Sequence, residues 1–229
     1  MREPPYGGHV MSDSRLMAIA AGLLVAGMLS FMIGAAIPLA WLEKPGLVPE
    51  VWSAPLARYL QLIAQHRQSW AWTNGFMIAA VVLNAAGLAA LAAFAGQPAV
   101  SAGAAGYGLA AVFWIVVASY RNTVSVWAAD QLAATNRVPD ASRALDLWSG
   151  QSYQIYTAAG HGSQAVVGLG LLQATIVPSW IAWIAVVVGV AGLLSQLPGF
   201  SRAPGLQAFF IPIVMHVAPA LIGVGLALK

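Results

Sequence analysis

The sequence predicts an all-α fold: an integral membrane bundle of about six transmembrane helices, with one interfacial amphipathic helix between spans one and two. Three observations carry this. The 229 residues are 60% apolar and 7% charged, whereas a soluble domain holds about 25% charged residues. The apolar residues fall into separate runs, each near the ~20 residues a helix needs to cross a bilayer. Pro, Gly and charged residues punctuate those runs. A surface with so little charge has to meet hydrocarbon, where each segment must satisfy its own backbone groups.

Residues 1–14 are polar and rich in Pro and Gly, and they read as a disordered tail. One six-span domain then covers 15–229. The apolar run after Arg15, roughly 26 residues, exceeds the ~7–15 of a signal peptide's apolar region, so 16–42 reads as a retained first span. Glu43, Lys44, Pro45 and Gly46 end it. The next stretch, 47–69, is amphipathic: Leu56, Tyr59, Leu60 and Ile63 share one helical face, while Arg58, Gln61, Gln65 and Gln68 point elsewhere. It predicts a short helix in the interface, its apolar face against lipid or the bundle. Trp52, Trp70 and Trp72 suit an aromatic belt at headgroup depth.

Spans two and three are predicted at 70–95 and 99–120, joined by a tight Gly96-Gln97-Pro98 turn. The third helix is expected to continue past Arg121 towards Ala133. Residues 134–150, with Arg137, Asp140, Arg143 and Asp146, are the most polar stretch and predict an extramembrane loop with a helical turn after Asp140. Spans four, five and six follow at 152–174, 180–197 and 206–228. Residues 176–179 link the fourth to the fifth, and 198–204 form the last loop. An even number of spans puts both termini on one side. Lys44, Arg58, Arg67, Arg121, Arg137, Arg143 and Arg202 fall on the face of the longer loops, which the positive-inside rule makes cytoplasmic. The two halves show no convincing self-similarity, so an inverted repeat is not read here.

The order of features resembles an uncharacterised bacterial membrane family, the "domain of unknown function 4386" type. A Gly-rich first span precedes the segment Ala54-Pro55-Leu56-Ala57-Arg58-Tyr59-Leu60. Spans four and five join through Val177-Pro178-Ser179-Trp180-Ile181-Ala182-Trp183, and a Gly-rich last span closes the chain. That family carries arginine and aspartate near the start of span four, where this chain has Gln151 and Ser152. The resemblance implies a multi-pass protein of a bacterial cytoplasmic membrane and assigns no activity.

Ionisable side chains at bilayer depth are costly, so each asks for a reason. His161 in span four and His216 in span six lie on helices running the same way. At about 1.5 Å per residue both sit roughly 13–15 Å below one face. One reading makes them cofactor-binding, as axial ligands of haem or a (bacterio)chlorophyll, with Gly160 and Gly162 admitting a flat macrocycle. The other makes them hydrogen-bonding groups between helices, with Ser163, Gln164 and Gln173 as nearby partners. Pro212, four residues before His216, frees the carbonyl of Ala208.

Arg121 is the candidate substrate-binding residue, for an anionic molecule or lipid headgroup. Its alternative is an arginine that snorkels to the interface. Asp130, nine residues on, does not share its helix face. Asn74 and Asn84 read as interhelical hydrogen-bond formers, and Gly103, Gly106 and Gly108 as close-packing positions.

The chain has no cysteine, which removes disulfides, thiolate metal sites and thiol nucleophiles. The net charge of +3 is spread along the chain, so nucleic acid is not an expected partner. No serine-nucleophile elbow, zinc-protease motif or paired carboxylate motif is present, and catalysis is not predicted. Three functions remain: an accessory or assembly subunit of a membrane complex, which the motif-poor bundle favours; a haem- or pigment-binding protein; and a small-molecule transporter. The expected partners are the lipid bilayer and other membrane subunits.

Overall fold

The computed structural model describes residues 13–41, 50–52, 54–196 and 204–228, and for 204–211 the backbone alone. Seven α-helices account for nearly all of them: α1 Asp13–Ala36, α2 Leu56–Gln65, α3 Arg67–Ala95, α4 Pro98–Thr135, α5 Asp140–Ala174, α6 Ser179–Leu194 and α7 Pro204–Ala227. No strand occurs among the described residues. Short 3-10 turns at Ile37–Trp41 and Glu50–Trp52 flank the first connection.

Local sequence sets most helix ends. Gly96 ends α3 at φ +61°, a conformation glycine adopts without a Cβ penalty. Pro98 opens α4, where its missing N–H costs nothing. The expected Gly-Gln-Pro turn is therefore present. Asn136 ends α4 in the same left-handed conformation. After Pro139 the chain turns into α5, and the Ser142 hydroxyl donates to the Pro139 carbonyl at 2.7 Å.

Three helices are long and apolar enough to cross a bilayer: α1 with its following turn, α3 and α4. The shorter apolar helices are α6, Ser179–Leu194, and the Pro212–Ala227 part of α7. The side chains are arranged inside out. Leu29, Leu109, Val112 and Val187 are 55–61% exposed on outward faces. Asn74, Asn84, His161, Gln164 and His216 are buried. Small residues let the buried layer close up. A Cβ on Gly103 would lie 2.6 Å from a Val167 methyl and 2.8 Å from the Ser163 carbonyl oxygen, so α4 meets α5 closely only because this position has no side chain.

Several boundaries differ from expectation. Asp13 and Ser14 belong to α1 and not to a tail, because Asp13 places an acid at the positive end of the helix; residues 1–12 lie outside the described residues. The first α-helix gives way at Ala36 to a 3-10 turn ending at Trp41. The expected loop at 134–150 is reduced to a turn at 136–139, since α5 starts twelve residues before its expected span. Charge ended the apolar run there without preventing a helix: Ala141, Arg143, Ala144 and Leu145 favour helix, and Asp140 places an acid at its positive end. The fourth helix runs on past Arg121, as expected. At roughly 57 Å it far exceeds a hydrocarbon core of about 30 Å. The α6 helix is shorter than its expected span, and α7 starts at Pro204, inside an expected loop. Residues 42–49 and 197–203, which hold the expected ends and loops there, lie outside the described residues.

The extension of α4 explains α2. Leu60, Leu62 and Ile63 of α2 pack with Ala128, Ala129 and Leu132 of α4, and Trp70 of α3 completes this cluster. The apolar face of α2 is thus turned to the bundle. An Arg58–Glu50 ion pair at 2.9 Å ties α2 to the 50–52 turn, and the Arg58 guanidinium holds the Glu50 carboxyl below its ordinary value.

Candidate functional site

The two histidines lie on helices that meet. Gly160 of α5 packs against the Met215 thioether of α7, and Gln164 Nε2 donates to the Met215 carbonyl. That carbonyl is available because Pro219, four residues on, has no N–H to give it. The rings leave this contact in different directions. His216 stacks on Phe31 of α1, ring centroids 4.2 Å apart, and its Nδ1 accepts from Asn84 Nδ2 of α3 at 2.7 Å. Asn84 Nδ2 also reaches the Tyr107 hydroxyl at 3.5 Å. His161 instead lies on Gly192 of α6, where an added methyl would overlap its ring. Of the two glycines expected to admit a macrocycle, Gly160 has Met215 beside it, and Gly162 has nothing within 4 Å of its Cβ position. Phe31 covers one face of His216. This packing joins helices and gives the axial-ligand expectation no support. Asn84 does form the interhelical bond expected of it, whereas the Asn74 amide donates within its own helix to Trp70.

The Arg121 site is different in kind. A cavity of about 270 Å³ lies where α4, α5 and α7 meet the turn at 50–52 and the start of α2. Arg121 is on its wall. The guanidinium carbon sits 5.1 Å from the Trp114 ring centre, 5.2 Å from Trp52 and 5.9 Å from Tyr153. Each distance is within the ~6 Å of a cation–π contact. Among the described residues Arg121 makes no ion pair, and Asp130 is paired with Arg67 of α3. Asp146 of α5 is the acid among the described lining residues, and its Oδ1 accepts from the Tyr120 hydroxyl at 3.5 Å. Burial raises the Asp146 carboxyl above its ordinary value, against the pull of Tyr120 and Arg121. Two buried donors on cavity-lining residues, Trp114 Nε1 and Tyr153 Oη, have no hydrogen-bond partner among the described residues.

Neighbouring elements fix this arrangement. The Trp70 indole of α3 donates to the Arg121 carbonyl at 3.1 Å, and the Tyr59 hydroxyl of α2 donates to Ser125 Oγ of α4 at 3.3 Å. Trp52 reaches Arg121 because the Glu50–Arg58 pair holds its turn. Sequence reading found Arg121 and missed Trp114, Tyr153 and Asp146 as its companions. A partial signal was present: Trp114 and Arg121 are seven apart on one helix, and so are Asp146 and Tyr153, a spacing that shares a face. Nothing local says that the two faces meet.

No group of three or more metal-binding side chains is found among the described residues. Set against family models, curated proteins and solved structures, the chain finds no match.

Proposed function

We propose that this is a six-span integral membrane protein whose cavity binds a small anionic molecule at headgroup depth. The carrying observation is Arg121, a cation on a cavity wall, ringed by three aromatic side chains and, among the described residues, in no ion pair. A cation so placed gains most from an anion brought in from outside, because partial burial strengthens the attraction. The inside-out faces support insertion in lipid. Counting α6 and α7 as spans beside α1, α3, α4 and α5 gives six. Trp72 is 60% exposed near one end of the bundle and Trp180 56% near the other, as an aromatic belt requires. Arginines gathered near the Arg121 end favour that end as cytoplasmic, and the family resemblance favours a bacterial cytoplasmic membrane.

The test is binding of benzoate to the whole chain in lipid nanodiscs, measured by calorimetry. Arg121→Gln removes a charge-assisted contact worth about 1.5–3 kcal/mol, so the Kd rises about 10- to 150-fold. Unchanged affinity in that variant sinks the proposal.

A second reading, an accessory subunit of a membrane complex, has one observation of its own. On the polar part of α5, beyond the expected span, Leu147 and Trp148 are 74% and 52% exposed. Exposed apolar residues outside lipid favour a partner surface. Leu147→Glu should then release a co-purifying subunit, and a partnerless monomer from native membrane argues against it.

A further inference from the structure

We infer that the site takes its ligand as a whole acid: a monocarboxylate on an apolar body binds together with one proton, and Asp146 holds that proton. This rests on Arg121 as the anion-binding group.

The charges around Asp146 lead there. From α4 it faces the Tyr120 hydroxyl and Arg121, and from α2 it is felt by Tyr59. On its own helix, Arg143 lies 4.0 Å from Asp140 in an exposed pair. Tyr153 and Ser149 line the cavity beside it. In the turn at 50–52, Glu50 is committed to Arg58. From α7 the described lining residue is Pro212. Among the described residues, Arg121 is therefore the cation that acts on Asp146.

Without ligand the two charges balance. A bound carboxylate puts two anions on one cation in a half-buried space, and protonating Asp146 restores neutrality. The step is a simple transfer. The O–H bond of the ligand acid breaks, an O–H bond forms on the Asp146 carboxylate, and the ligand anion stays against Arg121. A carboxylate arriving from solution takes a free proton to reach the same state. Burial has already weakened the hold of Asp146 on its charge.

The same count selects the ligand. A phosphate dianion leaves the site at net −1 even with Asp146 neutral, and among the described residues no second cation lines the cavity. A carboxylate has two oxygens, which match the paired N–H groups of the Arg121 guanidinium. Phe31, Ala35 and Met77 offer its body an apolar wall.

The experiment uses the full chain in nanodiscs, titrated with benzoate and with phenyl phosphate in buffers of different ionisation heat. The expected result is uptake of one proton per benzoate between the free and bound pKa of Asp146. The affinity then falls about tenfold per pH unit as the pH rises through that window. Asp146→Asn, with unchanged helix content by circular dichroism, loses the proton uptake and the pH dependence of the benzoate affinity. Phenyl phosphate binds more weakly. Benzoate binding that depends on Arg121 but moves no proton, or an Asp146→Asn variant with the wild-type pH profile, overturns this inference and leaves the anion site standing. Tighter binding of phenyl phosphate overturns the ligand class. Binding that survives Arg121→Gln, or no heat from either compound at millimolar concentration, overturns both.

Discussion

Replacing Trp70 with alanine should cost about 3–5 kcal/mol of stability, the range for a fully buried large aromatic. Trp70 is 0% exposed, and the rings of Trp41, Trp52 and Tyr59 lie 5.5–6.2 Å from it. It joins α3 to α2 and to the extension of α4, and its indole N–H satisfies the Arg121 carbonyl. Alanine leaves a cavity under α2 and removes that hydrogen bond. Trp70→Phe separates the two effects, since it keeps most of the burial and gives up a bond worth about 1 kcal/mol. Unfolding followed by circular dichroism in detergent reads both. Loss of Trp70 should also loosen Trp52 from Arg121, so the alanine variant binds benzoate more weakly at temperatures where it stays folded. A cost below about 1 kcal/mol would mean that α2 is held by something other than this cluster.

The second large effect concerns the carbonyl of Met215. Pro219 cannot donate to it, and the Gln164 amide does so from the neighbouring helix. Gln164→Leu strands a buried carbonyl and should cost about 1–3 kcal/mol. Gln164 Oε1 has no partner among the described residues. The substitution therefore removes one orphan acceptor too, which pulls the cost towards the lower end. Pro219→Ala restores an N–H four residues beyond Met215 and makes the side-chain bond dispensable. In that background Gln164→Leu should cost less than about 1 kcal/mol. A double-mutant cycle measures the difference, and strict additivity would refute the link.

The charge effects differ in size with their surroundings. The Arg58–Glu50 pair is half exposed, so solvent screens it and Arg58→Ala should change stability little. Its consequence is sharper for the site, because the turn it holds carries Trp52. A benzoate titration of that variant checks whether the turn still presents its ring to Arg121.

Much of the fold was legible in the residues. Apolar length marked where α1, α3 and α4 lie, Gly96 and Pro98 marked their turn, and the pattern of Leu60 and Ile63 marked the buried face of α2. Arg121 and Asn84 stood out because a polar side chain among apolar ones needs a partner. What stayed hidden was the partner. Asp146 looked like a loop charge because the polarity of 134–150 hides a helix. His161 and His216 share a depth, yet depth says nothing of the direction in which a ring turns.

By itself the sequence determined that this chain is helical and that α1, α3 and α4 are long and apolar enough to cross a bilayer, because in apolar stretches the backbone has nowhere to bond but along its own helix. Only the tertiary structure decided that Trp52, Trp114, Arg121, Asp146 and Tyr153 surround one space. Those residues sit on three elements far apart in sequence. Their meeting depends on how closely glycine-lined helices approach and where the 50–52 turn is pinned, and no local pattern encodes either.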